Sequence, residues 1–534
     1  MLAIGRGSIA QVQYTGDESA TEIKKLLASL VENEDDFDRW EPLVTRASEL
    51  EGGVTRNSSP SAIELVRNVF DCLLAKFPLF FGYWKKYADL EFAIGGTETA
   101  EMVYERGVSC IPISVDLWVH YCTFKMNTCH DPDVIRDLFE RAAEFVGIDF
   151  QSHPFWEKYM EFEQANGEIG RITKIVERLV HLPTYYFDRY YTKYRALLGN
   201  RPLEEVTDAA TLARAQAEVQ AETPGYAGKS DIEIERMIRV KLDAIYYELA
   251  MRMTDEVKTR WAFEGAIKRP YFHVTDLDPE ELANWRKYLD FEEAGGDFKR
   301  IVNLYERALV ACALYEEFWF RYARWMFAQG RDEDTRIIYM RASCLFVPIS
   351  QPTIRLHWAR FEEKLGAIQV ARDIHYGILE QLPDHVDTII SLASLERRHA
   401  GDEAALQCLE NYIGQREMQI AGKLTAEQGR ILWQCSRSPE RARQLFMERH
   451  DKYPGSRDFW LAYLNFEIDQ PSANDSEAYW RVKSCYTLLR DKGGFSAPDL
   501  KELSQPYLDF LLNRGGEQAA EEYMLLDKQL HGYV

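Results

Sequence analysis

The sequence predicts an all-α fold: an α-solenoid of helix-turn-helix repeats in two arms. Three observations carry this. The stretch WRKYLDFEEAGGDFKRIVNLYERAL, from Trp285 to Leu309, reads as two helices with a turn between them. In its first half Trp285, Tyr288, Phe291 and Glu292 fall at i, i+3, i+6 and i+7, one face of a helix with 3.6 residues per turn. Gly295 and Gly296 end that helix, Asp297 is placed to cap the next, and Ile301, Leu304, Tyr305, Ala308 and Leu309 repeat at helical spacing. The second observation is recurrence. Trp319 follows Trp285 by 34 residues and Trp358 follows by 39 more; upstream, Trp84, Trp118 and Trp156 are 34 and 38 apart, and Trp460 restates the pattern near the end. The third is that the second helix recurs as well, as Tyr104-Glu105-Arg106, Phe139-Glu140-Arg141, Val176-Glu177-Arg178, Tyr305-Glu306-Arg307 and Tyr339-Met340-Arg341. A hairpin with one aromatic face cannot bury it alone, and stacked neighbours at a fixed period are the solenoid solution. The seven tryptophans are therefore expected in the repeat core.

Taken in order, residues 1–18 are expected to be a loose leader and 19–200 a first repeat arm. Helix begins near Thr21, Trp40 opens a degenerate unit, a polar loop spans 52–61, and Ile63 to Phe77 supplies the partner helix before Pro78. Three regular units follow from Trp84 to Leu182; in the next, Tyr190 or Tyr191 takes the tryptophan place, with Tyr194 after it. Residues 201–230 are an Ala/Glu/Gln-rich insertion ending in the turn-prone Thr223–Gly228, expected to separate the two arms. Residues 231–500 form a long linking helix through Tyr247 and Met251, then a second arm, in which Trp261–Glu264 fills the place of a second helix. The unit at 386–413 lacks the tryptophan and uses Leu392, Leu395 and Glu396. Residues 501–534 form C-terminal helices for capping or dimerisation.

Composition narrows the function classes. The chain of 534 residues has 86 acidic and 64 basic side chains, a formal charge of −22. Phosphate binding needs a local Lys/Arg surplus, so bulk electrostatics favour protein partners over nucleic acid. Nine scattered cysteines without a CxxC pair suit reduced, buried thiols. Cys122, Cys129, His120 and His130 lie close together, but no second ligand pair follows at zinc-finger spacing, and no metal is expected. Met1 to Tyr14 has no apolar signal core and no run nears the length of a membrane span, so a soluble, intracellular protein is expected. There is no Walker A, GxSxG or HExxH motif. Glu292 and Glu362 are expected to pair with basic residues of adjacent units rather than to act as acids or bases. No catalytic residue and no cofactor is predicted.

The unit W-x-x-Y-x-x-F-E, then Gly, then Y-E-R-A-L resembles the half-a-TPR (HAT) repeat, which implies a setting in RNA-processing assemblies. Within that group the segment at 139–163, the I-V-E-R-L-V-H-L-P-T at 175–184 and the Ala/Glu-rich insertion are similar to the pre-mRNA-processing factor 39 family. The resemblance implies a nuclear, non-enzymatic scaffold that joins U1 snRNP proteins to other factors in 5′ splice-site selection and alternative splicing. It implies dimerisation through the C-terminal arm, as a homodimer or with a paralogue, and only indirect pre-mRNA or snRNA association. The alternative is a HAT scaffold of mRNA 3′-end cleavage or rRNA processing, with direct RNA binding open. A long acidic N-terminal extension and a basic C-terminal tail of the sort larger homologues carry are not expected here, nor is a dense basic import signal.

Two surfaces are singled out. In the last helix Ala520, Tyr523, Met524, Leu526 and Leu530 share an apolar face, with Leu525 pointing away. This helix either caps the Trp460 unit or docks onto another protomer; the interface would comprise Tyr507, Phe510, Leu511, Tyr523, Met524, Leu526 and Leu530. The second is a basic cluster, Arg437, Arg441, Arg443, Arg449, Lys452 and Arg457. It is either an RNA or partner patch, or a solvated face paired within its helix to Glu440 and Glu448.

Overall fold

The computed structural model describes residues 20–531 except 225, 415 and 473. These form 27 α-helices and no strand. The chain divides into two compact units, one ending at Tyr322 and the other beginning at Ala323. The helix Ala209–Glu222 and the 34-residue helix Asp231–Glu264 both belong to the first. Ser230 and Glu233 start the long helix with a reciprocal capping box.

Each repeat is one helix carrying the tryptophan face (A) followed by a second (B). In the first unit the A helices include Phe81–Gly95, Val115–Thr128, His153–Ala165 and Pro279–Gly295, and the B helices Thr97–Cys110, Pro132–Val146, Ile169–Leu179 and Phe298–Ala311. The A-to-B turn of the organising stretch follows the sequence. Gly296 ends the helix with φ 74°, a left-handed conformation that a side chain would oppose, and the Asp297 carboxylate accepts from the Arg300 N–H at 3.1 Å.

Trp84, Trp118, Trp156, Trp285, Trp319 and Trp460 are at most 1% exposed. What they pack against explains the rest of the motif. The aromatic that opens the B-helix signature stacks on the A-helix tyrosine of the following repeat: Phe70 on Tyr87, Tyr104 on Tyr121, Phe139 on Tyr159, Phe263 on Tyr288 and Tyr305 on Tyr322, with ring centroids 4.5–5.0 Å apart. In the second unit Phe446 stacks on Tyr463 in the same way at 5.0 Å. Tyr190 and Tyr194 are the buried pair in the helix Phe187–Asn200.

Trp358 departs from the core expectation. It is half-buried, and Arg355, 8% exposed, holds the place the tryptophans hold elsewhere. Counting back from the buried glutamate explains why: the tryptophan lies seven residues before it in Trp84/Glu91, Trp156/Glu163, Trp285/Glu292 and Trp460/Glu467, and seven before Glu362 is Arg355. Trp358 occupies the tyrosine position. The guanidinium donates to the carbonyls of Pro348, Gln351, Ser343 and Val347, taking over the role of an indole N–H.

Past the Trp460 helix (Arg457–Asp469), Asp475–Lys492, Ala497–Arg514 and Ala519–His531 continue the stacking. Tyr486 stacks on Tyr507 at 4.3 Å, so the tail is a further, degenerate helix pair.

Candidate interaction surfaces

The charged residues of the repeat motif are absorbed by bonds between repeats. A B-helix arginine grips the A-helix glutamate of the next repeat with two hydrogen bonds. In the first unit these are Arg67–Glu91 (2.7 and 2.9 Å), Arg136–Glu163 (2.8 and 3.1 Å) and Arg260–Glu292 (2.7 and 3.1 Å). In the second they are Arg336–Glu362 (2.8 and 3.0 Å), Arg372–Glu396 (2.6 and 2.9 Å) and Arg443–Glu467 (2.8 and 3.0 Å). A carboxylate this deeply buried is stable only with such a fork across it. Between the Thr97–Cys110 and Val115–Thr128 helices the signs are exchanged: Lys125 donates to Glu101 at 2.7 Å.

The Glu-Arg dipeptide forms a second ladder. Glu105 accepts from Tyr121 and Arg141, both at 2.6 Å; Glu140 accepts from Tyr159 and Arg178, both at 2.9 Å. Each of these arginines also lies over its own repeat's tryptophan, Arg141 at 5.2 Å from Trp118 and Arg178 at 5.0 Å from Trp156. These carboxylates hold repeats together. Cys122 is fully buried, and burial pushes its thiol well above the ordinary range. Among the described residues no cluster of three or more His, Cys, Asp or Glu could hold a metal ion, and no helix is long and apolar enough to cross a membrane.

The basic cluster around 437–457 is largely matched within the chain, though not by the expected intrahelical partners. Arg441 pairs with Glu403 at 2.8 Å, Arg443 with Glu467, Arg449 with Glu410 at 2.8 Å, and Arg457 with Glu502. The carboxylates come from other helices, three of them opposite the helix Pro439–Arg449 and Glu502 opposite the start of the Trp460 helix. Arg437, with a positive φ of 52°, and Lys452 are exposed.

The C-terminal residues separate by face. Tyr507, Phe510, Leu511 and Leu526 are buried in the chain's own core, while Tyr523 and Leu530 are half-buried against it. Glu522 ties the pair together, accepting from Tyr507 at 2.8 Å, Lys483 at 2.7 Å and Tyr479. Met524 points outward, contrary to the expected face, because Ala519, Glu522 and Leu526 set the packed side; Ala520 is exposed too. The free apolar surface is Met524 (67% exposed) and Leu525 (56%), with Leu512 and Trp480 also exposed.

Sequence reasoning missed a junction in the first unit. Arg307 pairs with Glu264 at 2.7 Å, as its dipeptide position requires, and also with Asp149 at 3.0 Å, from the turn before the Trp156 helix. Asn303 reaches the Phe145 carbonyl at 3.3 Å, 158 residues away. Burial raises the Asp149 carboxyl and the Arg307 charge opposes that rise. Beside this cluster lies a cavity of about 290 Å³, walled by Phe81, Ile111, Val115, His153, Trp285 and Val310. A lone aspartate in a turn carries no periodic signal, so nothing in the sequence marks it.

Stacked helix pairs with this Trp–Tyr–Glu face and Glu-Arg ladder define a HAT-repeat protein. Family models described as the PRP39 N-terminal and C-terminal HAT repeat match residues 24–196 and 258–398. The chain is 41% identical to pre-mRNA-processing factor 39 of Schizosaccharomyces pombe, over 97% of this chain and 87% of that protein. It is 30% identical to the Homo sapiens factor 39, over 95% and 78%. It is also 22% identical to the U1 small nuclear ribonucleoprotein component PRP42 of Saccharomyces cerevisiae, over 55% of each chain. The chain belongs to the pre-mRNA-processing factor 39 family.

Proposed function

We propose that this chain is a nuclear, non-enzymatic scaffold associated with the U1 snRNP, which acts in pre-mRNA splicing at 5′ splice-site selection through protein contacts on its repeats. Family membership across both arms is the observation that carries this reading. It is supported by the relative named as a U1 component and by a net charge of −22, which disfavours bulk RNA binding. Recovery of the tagged chain from nuclear extract tests it. U1 snRNA enriched over other small RNAs supports the reading; recovery with 3′-end cleavage factors or pre-rRNA and without U1 snRNA refutes it.

The scaffold pairs through its C-terminal end, as a homodimer or with a paralogue. The outward Met524 and Leu525 supply the contact, and the buried Tyr507, Phe510, Leu511 and Leu526 hold the helix that presents it. Light scattering should give about twice 62.1 kDa for the full chain and the single mass for Met524→Asp/Leu525→Asp. A dimer that survives both substitutions refutes this contact.

A further inference from the structure

Trp285, in the wall of the cavity in the first unit, carries a hydrogen-bond donor that the repeat architecture leaves unused. Trp40, Trp84, Trp118 and Trp319 each donate their indole N–H to a carbonyl six residues earlier, at 2.7–2.9 Å. Trp156 and Trp460 reach a carbonyl nine and seven residues back, both at 3.1 Å. Trp285 is 1% exposed and its Nε1 has no acceptor. The cause is local. The A helices of Trp84, Trp118, Trp156, Trp319 and Trp460 begin three residues before their tryptophan, whereas this one begins at Pro279, six before it. The carbonyl at the customary distance therefore lies inside the helix and belongs to its own ladder. The tight turn is replaced by the connection 265–278, which seats Phe272 against Phe80 at 5.0 Å and leaves Tyr271 half exposed at the cavity.

A second unsatisfied group lines the same cavity: the buried His153 Nδ1 has no partner. Burial lowers the basicity of this imidazole, and a neutral imidazole offers one ring nitrogen as an acceptor. An orphan donor and an orphan acceptor in a wall of mixed apolar and polar residues are complementary to an amide, which offers one C=O and one N–H. A phosphate suits the site poorly. Asp116 and Asp149 are part of its wall, and Arg307 is already shared between Asp149 and Glu264. About 290 Å³ suits an aliphatic side chain with its flanking amides.

We propose that this cavity is a docking site for an extended peptide segment of another protein, which gives a main-chain carbonyl to Trp285 Nε1 and an apolar side chain to the cavity. The partner supplies from outside the carbonyl that the other repeats take from their own preceding turn. The proposal holds whichever RNA-processing particle the scaffold serves.

Fluorine NMR of the full chain labelled with 5-fluorotryptophan tests it, with N-acetyl-L-leucinamide as probe. The Trp285 signal is the one missing from Trp285→Phe, and the other tryptophan signals report the fold. We expect it to shift saturably, with a dissociation constant on the order of millimolar for so small a ligand. Filling the cavity with Ile113→Trp should weaken that binding about tenfold. If that variant loses its fold, the wild-type titration still decides. A Trp285 signal that stays fixed, or one that drifts unsaturably with all the others, overturns the proposal. A shift with uridine monophosphate but none with the amide also overturns it, in favour of a nucleotide pocket.

Discussion

The repeat of Trp156 and the repeat of Arg355 perform one structural task with unlike side chains. In the first, an indole fills the space between helices and its N–H satisfies the Gly147 carbonyl at 3.1 Å. In the second, a guanidinium lies in the equivalent place and satisfies four carbonyls, including that of Pro348 seven residues earlier at 3.0 Å. Both end in a buried glutamate gripped by an arginine of the preceding helix. The difference teaches that a repeat is defined by a set of bonds to be met at fixed positions, and that the tryptophan is one way of meeting them. The indole contributes mainly apolar burial; the guanidinium contributes hydrogen bonds and is costly to bury, as the lowering of the Arg355 pKa by desolvation records.

The largest expected effect falls on the aromatic side. Trp156→Ala should cost about 3–5 kcal/mol, the usual cost of truncating a buried aromatic, measured as a shift in the denaturant midpoint. Trp358→Ala should cost clearly less, because Trp358 is half-buried at the tyrosine position. Equal losses would break the comparison.

Next in size is the shared glutamate. Glu163→Gln removes the fully buried carboxylate from the Arg136 fork and leaves Arg136 only the exposed Asp133 as a charge partner. A loss of about 3 kcal/mol is expected, since removing one member of a buried pair leaves the other without its buried counter-charge. A neutral result would mean the fork is incidental to stacking.

The exchanged pair gives a smaller and sharper test. Lys125→Glu should destabilise by about 1 kcal/mol, and Lys125→Glu combined with Glu101→Lys should recover most of it, as a double-mutant cycle measures. Additive losses would show that the site requires its present orientation of charge. At the small end, Arg441→Ala on the exposed Glu403 pair should leave the unfolding midpoint unchanged.

Much of this was legible in the sequence, for physical reasons. The helix pairs follow from period and glycine placement, and the pairing of Glu292 and Glu362 with neighbouring repeats follows because an apolar face tolerates a carboxylate only with a partner. The register of the Arg355 repeat was misread because Trp358-x-x-Phe361-Glu362 copies the tyrosine-to-glutamate half of the motif with a tryptophan in it. Counting from the glutamate instead of the tryptophan corrects it. In the last helix the apolar residues exceed what one face can bury, so hydrophobicity alone could not tell Leu526, which packs, from Met524, which does not. The Asp149–Arg307 junction was illegible because a contact between distant repeats leaves no periodic trace.

The most direct test of the central claim is the unfolding midpoint of Arg355→Met beside that of Trp358→Phe. If bonds at fixed positions define the repeat, Arg355→Met strips the buried Ser343 and Val347 carbonyls of their guanidinium donor, along with the part-buried bonds to Pro348 and Gln351, and falls by about 2–4 kcal/mol, while Trp358→Phe stays near wild type. A stable Arg355→Met with a strongly weakened Trp358→Phe would contradict it and return the core of that repeat to its tryptophan.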